Sequence, residues 1–243
     1  MKAIVLAGGK GTRISHIIGD IPKPMIEFDN KPFLEILSDI FFADGIQEII
    51  FSISHLSEKV VSHFQQKEIP NVTFNVEKEL LGTGGAILNA VNNFDIQDSF
   101  IACNGDSYNE FNLQEMVQFH KQNKNDITIL AKHVPDNSRY GTLEIEDGKV
   151  VKFCEKTSNS NGAINSGVYI INPNVFAKFD LPQVFSFETD FLGKYTDELK
   201  IGAFESSEYF IDFGIPEDLA LALMELPDII KKRSLVHEKS LIS

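Results

Sequence analysis

Residues 1–13 read MKAIVLAGGKGTR, and the fold turns on how the last six follow the first seven. Ala3 to Ala7 form a short apolar run of largely strand-favouring residues, which Gly8 and Gly9 halt abruptly. A buried strand therefore empties into a loop that is almost bare backbone, edged by Lys10, Thr12 and Arg13. Such a loop suits an anion that must come close to main-chain N–H groups, because glycine permits both the approach and a positive φ where a Cβ would clash. A plain Gly-rich turn is the competing reading. Two common phosphate loops do not fit. A Walker loop ends in Gly-Lys-Ser/Thr, whereas Lys10 precedes Gly11, and a dinucleotide fingerprint through Gly9 and Gly11 meets Ile14 where its third glycine belongs.

The rest of the chain limits the partners. Its 243 residues, 43% apolar with 20 phenylalanines, suffice for a sizeable core. No apolar run approaches membrane-spanning length and the N-terminal one is too short for a secretory segment, so a cytoplasmic protein without a membrane partner is expected. Cys103 and Cys154 lack CxxC spacing and read as small hydrophobes of a reducing compartment. His16, His55, His63, His120, His133 and His237 show no metal-ligand spacing. The net charge of −13 disfavours nucleic acid, which binds to basic surface. Phosphate chemistry would have to be local, which gives weight to Lys10, Arg13 and Lys23 near the N-terminus.

Outward from the loop, strand-like and helix-like segments alternate. PFLEILSDIFFADG has helical spacing, with Pro32 as first helical residue and Gly45 as stop. QEIIFSIS, VTFNVE and DSFIACNGD read as strands separated by the helices SEKVVSHFQQK and GGAILNAVNNF, and NLQEMVQFHKQNK follows as a helix. This winding predicts an α/β fold with a Rossmann-like, mainly parallel sheet flanked by helices. From Asp126 onward DITILAKHV, YGTLEIEDGKVVKFCEK and AINSGVYIINP are strand-rich and predict a smaller mixed β subdomain, with Asp147-Gly148 as a hairpin turn. Short helices at VFAKF and ETDFLGKY, strands at IGAFES and EYFIDFG and a helix from Pro216 complete the pattern. One domain over residues 1–230 with a polar extension over 231–243 is expected, without internal repeats.

Ligands of such sheets sit beyond the carboxyl ends of the strands. Lys23, between Pro22 and Pro24, is held on a stiff, extended segment and can serve phosphate as a point charge. LGTGGA, residues Leu81 to Ala86, opens a helix whose free N–H groups can receive a phosphate or read the edge of a base; a compact strand-to-helix turn is the alternative. Asp106 in NGDS and Asp212 in EYFIDFG each end a strand, and two such carboxylates beside a phosphate loop suit Mg²⁺ with a nucleotide. Glu155 and Lys156 read either as a solvated pair or as groups for sugar hydroxyls and phosphate, with Asn165, Gly167, Tyr140 and Gly141 shaping the same wall.

In order and number, GGKGTR, PKPM, LGTGGA, NGD, EK, NSGVYI and DFG resemble the sugar-1-phosphate nucleotidyltransferase family over nearly the whole chain. LAGGKGTR, DIPKPM and LGTGGAI are most similar to its D-glycero-D-manno-heptose 1-phosphate guanylyltransferases, with mannose-1-phosphate guanylyltransferases and uridylyl, thymidylyl or cytidylyl relatives close behind. The resemblance implies a GT-A-like fold with a nucleotide half over about 1–125, a sugar-phosphate half over about 126–230, and Mg²⁺ as cofactor. Its implied nucleotide residues are Leu6, Ala7, Gly8, Gly9, Gly11, Thr12, Arg13, Gly82, Thr83, Gly84 and Asp106. For the sugar phosphate they are Lys23, Tyr140, Gly141, Glu155, Lys156, Asn165 and Gly167; for the metal, Asp106 and Asp212; for catalysis, Arg13, Lys23 and Asp106. Lys10 carries no role, and the β-helix some relatives append is not expected.

The implied substrates are a nucleoside triphosphate, GTP favoured, and a sugar 1-phosphate, a manno-configured heptose favoured; a homodimer is left open. An ionised sugar phosphate needs no catalytic base, which agrees with the lack of an evident His or Ser dyad. A glycosyltransferase would show Asp-x-Asp, but Asp106 is followed by Ser107 and Tyr108. A non-catalytic nucleotide-sugar subunit could lose Arg13, Lys23 or an aspartate, and all are kept. A phosphocholine acceptor would favour an aromatic cage, and the chain has no Trp.

Overall fold

The protein's structure, a computed structural model, describes residues 1–154 and 163–242. After β1 (Lys2–Leu6) come the short helix α1 (Ser15–Ile18), a 3-10 turn at Lys23–Met25, the two-residue strands β2 (Glu27–Phe28) and β3 (Lys31–Pro32), and α2 (Phe33–Ala43). β4 (Glu48–Ile53), α3 (Ser57–Gln66), β5 (Val72–Val76), α4 (Gly82–Asn93) and β6 (Phe100–Asn104) continue the winding. β7 (Ser107–Asn109) leads to α5 (Leu113–Asn123) and β8 (Ile127–Lys132), then to the hairpin of β9 (Thr142–Glu146) and β10 (Lys149–Cys154). β11 (Ala163–Ile171), a π-helical turn at Phe187–Leu192, α6 (Gly193–Tyr195), β12 (Ile201–Ser206), β13 (Phe210–Asp212) and α7 (Pro216–Ile242) complete the chain.

β5, β4, β1 and β6 lie side by side and parallel, as the alternation predicts. The mixed strands of the second half do not form a layer of their own. β11 pairs antiparallel with β6 on one side and β8 on the other, and β12, β10 and β9 extend the same sheet to nine strands. The cause is β11 itself: only Asn165 along its nine residues is less than buried, a composition suited to the middle of a covered sheet. The alternating side chains of β1 serve both faces. Ala3 and Val5 join a core with α2, α3, α5 and α7, whereas Ile4 joins one with α4 and the phenylalanines 176, 185, 187 and 191.

Local differences from expectation have local causes. Asp147 (φ 48°) and Gly148 (φ 72°) form the expected two-residue hairpin turn. Pro32 belongs to β3, opposite Glu27, and caps α2 from outside rather than opening it. ETDFLGKY divides between the π-turn, which ends at Leu192, and the short α6. The 231–243 extension continues α7 to Ile242, with Arg233 tied to Asp44 at 2.6 Å.

His120 of α5 is buried, with Nδ1 2.9 Å from the Thr128 hydroxyl, and burial holds its pKa below the ordinary value. The unfolded chain therefore takes up a proton that the folded chain resists, so this residue's stability contribution is full above the ordinary histidine pKa and falls as pH drops through it. Urea midpoints measured at about pH 7.5 and about pH 5 should show a drop that His120→Gln reduces.

Candidate active site

β1 ends where its backbone leaves the sheet. The Ala7 N–H still donates to Ser52 O at 2.8 Å, but among the described residues none of the N–H groups from Gly8 to Arg13 donates a hydrogen bond. The loop closes at Ile14, whose N–H donates to Gly11 O at 3.1 Å and whose side chain is fully buried. Gly11 has φ 58°, and a Cβ there would stand 3.2 Å from the Lys23 Cβ. Successive unpaired amides on an exposed, tightly curved backbone form an anion nest. Beside it, the Gly105 N–H donates to Leu6 O at 2.8 Å, so the turn after β6 is stitched to the root of the loop.

That turn carries Asp106. Lys23 is only 5% exposed, and its Nζ lies 2.7 Å from Asp106 Oδ2 and 3.4 Å from Asp212 Oδ1. Lys23 is not on extended chain as its flanking prolines suggested: only Pro22 is extended, while Pro24 sits inside a 3-10 turn where its missing N–H costs nothing. The ammonium also stands 5.3 Å from the centre of the Phe213 ring, which is packed edge-on by Phe28 and Phe33. Asp212 Oδ1 accepts the Gly214 N–H at 2.9 Å. A Cβ on Gly214 would stand 2.9 Å from that oxygen, 3.0 Å from Lys23 Nζ and 3.3 Å from Arg13 Nη2, so these groups converge on one stretch of backbone.

The two aspartates meet because β7 and β13 pair as a separate antiparallel ribbon, with Asp212 opposite Ser107. Burial, then the charge of Asp106, raises the Asp212 pKa, and Lys23 and the Gly214 N–H only partly offset them. No group of three or more His, Cys, Asp or Glu gathers among the described residues. Two adjacent hard carboxylates fit Mg²⁺, which commonly takes one or two protein carboxylates and completes its shell with phosphate oxygens and water.

The remaining expected residues are placed unequally. Tyr140 stands close enough to Asp212 that burial, followed by that charge, pushes its pKa up to about 12. Gly141 O accepts the Asn165 N–H at 2.9 Å, and the Asn165 side chain accepts from Gly167 N–H at 3.1 Å and donates to the Tyr169 hydroxyl at 2.7 Å. Gly167 packs on Asn104, beside the Asp106 turn. Glu155 and Lys156 lie outside the described residues. The α4 start differs from expectation. The amides of Gly84 and Gly85 donate to Phe185 O at 3.0 and 3.2 Å, and Gly84 is glycine because the Phe185 ring occupies the place of a Cβ. Thr83 Oγ1 donates to Glu188 Oε2 at 2.5 Å and accepts the Phe187 N–H at 2.8 Å. The folded-back segment 183–187 thus takes the donors expected to face a ligand, and Gly82 remains exposed.

A family model described as nucleotidyl transferase matches residues 2–228. The chain belongs to this family. It is 38% identical over 231 residues to D-glycero-alpha-D-manno-heptose 1-phosphate guanylyltransferase of Aneurinibacillus thermoaerophilus, covering 95% of this chain and 100% of that one. Mannose-1-phosphate guanyltransferase of Yarrowia lipolytica is 32% identical over 240 residues, which are 96% of this chain and 66% of that protein. The crystal structure of HddC from Yersinia pseudotuberculosis complexed with GMP-PN superposes with a TM-score of 0.81 at 38% identity, covering 93% of this chain and 99% of that one.

In this nucleotidyl transferase two side chains escaped the sequence reading. Glu188 joins Thr83 to Tyr169, whose hydroxyl donates to Glu188 Oε1 at 3.2 Å, and so links the α4 start to the Asn165 side of the site. Glu77, just after β5, is 8% exposed and has no ion pair among the described residues. Its Oε1 accepts from Ser52 Oγ at 2.9 Å and its Oε2 from the Leu81 N–H at 3.2 Å, and burial raises its pKa. A Cβ on Gly8 would stand 3.6 Å from Glu77 Oε1, which sets this carboxylate at the edge of the anion nest. Asn75 donates to Ser52 Oγ and accepts from Asn89 and Asn93, each at 2.9 Å. The clue was in VTFNVE: Asn75 and Glu77 share one face and are buried, while Val76 is 52% exposed.

Arg13 is exposed at the nest's end, where folding makes little use of it. Arg13→Ala should lower kcat/KM by about 2 to 4 kcal/mol of transition-state stabilisation with an unchanged melting temperature. Steady-state kinetics equal to wild type would make it a solvated surface group.

Proposed function

We propose that this nucleotidyl transferase joins GTP to a manno-configured heptose 1-phosphate, releasing pyrophosphate and giving a nucleotide sugar. The reading is carried by one observation: an unpaired amide nest ends β1 directly beside the Lys23, Asp106 and Asp212 cluster. An oxygen of the sugar phosphate attacks the α-phosphorus of GTP, forming one P–O bond as the bond to the β-phosphate breaks, and the electron pair leaves with pyrophosphate. No proton need be removed from the nucleophile. The nest amides and Arg13 hold the nucleotide phosphates, and Lys23 offsets charge where two polyanions meet, so positioning and electrostatics supply the catalysis. Asp106 and Asp212 would hold Mg²⁺, which when bound supplies further charge neutralisation at the phosphates.

Glu77 supports GTP, because guanine presents N1–H and N2–H₂ together on one edge and a carboxylate accepts both. Tyr140, Gly141, Asn165 and Gly167 form the sugar-phosphate side, and the two halves divide near residue 125. The proposed compartment is the cytoplasm; no helix among the described residues is long and apolar enough to cross a membrane. The relatives' names favour the heptose, since the guanylyltransferase of A. thermoaerophilus is matched along its full length. Mannose 1-phosphate is the second reading, supported by the Y. lipolytica relative. Pyrophosphate release measured for GTP, ATP, UTP, CTP and dTTP against a panel of sugar 1-phosphates should give the highest kcat/KM for GTP with the heptose. A pyrimidine nucleotide that outcompetes GTP with every acceptor would overturn the guanylyl assignment.

A further inference from the structure

The β7–β13 ribbon has three residues in each strand and stands apart from the nine-stranded sheet. A two-stranded ribbon this short is not self-sustaining, so what fixes its ends fixes the aspartates it carries. One end is gripped by Lys23 through Asp106 and Asp212. At the other end, where the Glu110 N–H donates to Tyr209 O at 2.9 Å, stands a second buried lysine. Lys132 is the last residue of β8 and 1% exposed. Its Nζ donates to Glu110 O at 2.7 Å, to Ser206 Oγ at 2.9 Å and to Glu208 O at 2.9 Å, so all three ammonium hydrogens have acceptors. Glu110 immediately follows β7 and Glu208 lies just before the ribbon's return strand, so one ammonium holds both chains of the ribbon from within the sheet.

A buried ammonium without a carboxylate partner is an expensive way to fill space, since desolvation opposes the charged form. Lys132 has no ion pair among the described residues, and burial lowers its pKa to about 8. A Met of similar length would fill the same volume but strip the Glu208 carbonyl of its ammonium donor and leave the Glu110 carbonyl only the Ser206 hydroxyl at 3.4 Å. We infer that Lys132 is a positioning residue for the reaction: it clamps the far end of the β7–β13 ribbon and thereby sets how Asp106 and Asp212 face one another. This rests on the assignment of those aspartates to the reacting centre.

The test uses the full chain carrying Lys132→Met, with Ser206→Ala as a milder change that keeps the charge and removes one acceptor. Mn²⁺ binding in the presence of GTP, followed by electron paramagnetic resonance without turnover, is measured beside kcat, KM and thermal melting. For Lys132→Met, Mn²⁺ affinity and kcat should each fall about tenfold or more, as for other supports of metal-holding groups. The KM for GTP should stay within about twofold of wild type, because the 8–13 loop is untouched, and Ser206→Ala should move both quantities in the same direction by less. Unchanged Mn²⁺ affinity and kcat in a folded Lys132→Met protein would overturn the inference, whatever the melting temperature does. So would a parallel rise in the KM for GTP, the mark of general loosening. Should Lys132→Met not fold, Ser206→Ala decides, and unchanged Mn²⁺ affinity in it overturns the clamp. Asp106→Asn run alongside separates the two readings: if it too leaves Mn²⁺ binding intact, the aspartate assignment fails, whereas a normal loss there with silent ribbon variants rejects only Lys132.

Discussion

Asp106→Asn should retain GTP binding while its kcat falls about 10³-fold, the scale expected when a charged group near a transferring phosphoryl is neutralised without changing shape. Asp106 Oδ2 sits 2.7 Å from Lys23, so the substitution removes the closer of the two anions around that ammonium. Asp212 then keeps Lys23 for itself and loses the neighbour that raises its pKa. The folded protein should tolerate this, because less repulsion is left behind. Excess chelator should abolish wild-type turnover in the same assay, and adding Mg²⁺ back should restore it. Full activity in the variant or in chelator would refute the assignment of a metal to this pair.

Glu77→Gln should lower kcat/KM for GTP about 100-fold and narrow or reverse the preference over UTP, since a site built for one hydrogen-bonding edge discriminates steeply against another. The argument is one of donors and acceptors. A carboxylate accepts from both N–H groups of guanine, whereas an amide must turn one of its own donors toward them. Uracil offers a donor beside an acceptor, which an amide complements. In the variant, the Ser52 hydroxyl or the Leu81 N–H can still hold the one oxygen that the amide keeps, so the fold should survive, and competition between GTP and UTP reads the change directly. An unaltered GTP preference would remove Glu77 from base reading.

Some of this was legible in MKAIVLAGGKGTR because short-range rules act there: strand-favouring residues, then glycines, then cations. The Asp147-Gly148 turn was legible for the same reason, a positive φ at two adjacent residues. Lys23, Asp106 and Asp212 were identifiable as charged residues at strand ends or on proline-stiffened chain, but their meeting was not. The ribbon that joins the aspartates has too few residues for any periodicity to register. Glu77 was missed because a charged residue closing a strand reads as its solvated end, although the buried Asn75 beside the exposed Val76 reverses the usual pattern. The glycines of LGTGGA were legible as a helix start, but the Phe185 backbone and ring that cover them come from a distant segment. The role of β11 was hidden too, since an apolar strand does not announce which two neighbours it will take.

β11 also bears on how the molecule can move. It is bonded to β6 through Phe100, Ile101, Ala102 and Cys103 on one side and to β8 on the other, so no seam runs between the early and late strands. Opening the two halves like a clam would tear a buried ladder whose local stability approaches that of the whole domain. Any opening for substrate is therefore expected in segments at the rim of the sheet, such as the 8–13 loop and the 133–141 connection, which brings Tyr140 to Asp212 and is moored by Arg139 to Asp218 at 2.5 Å. A rigid bench of this kind leaves turnover open to tuning through its rim segments without touching the bench.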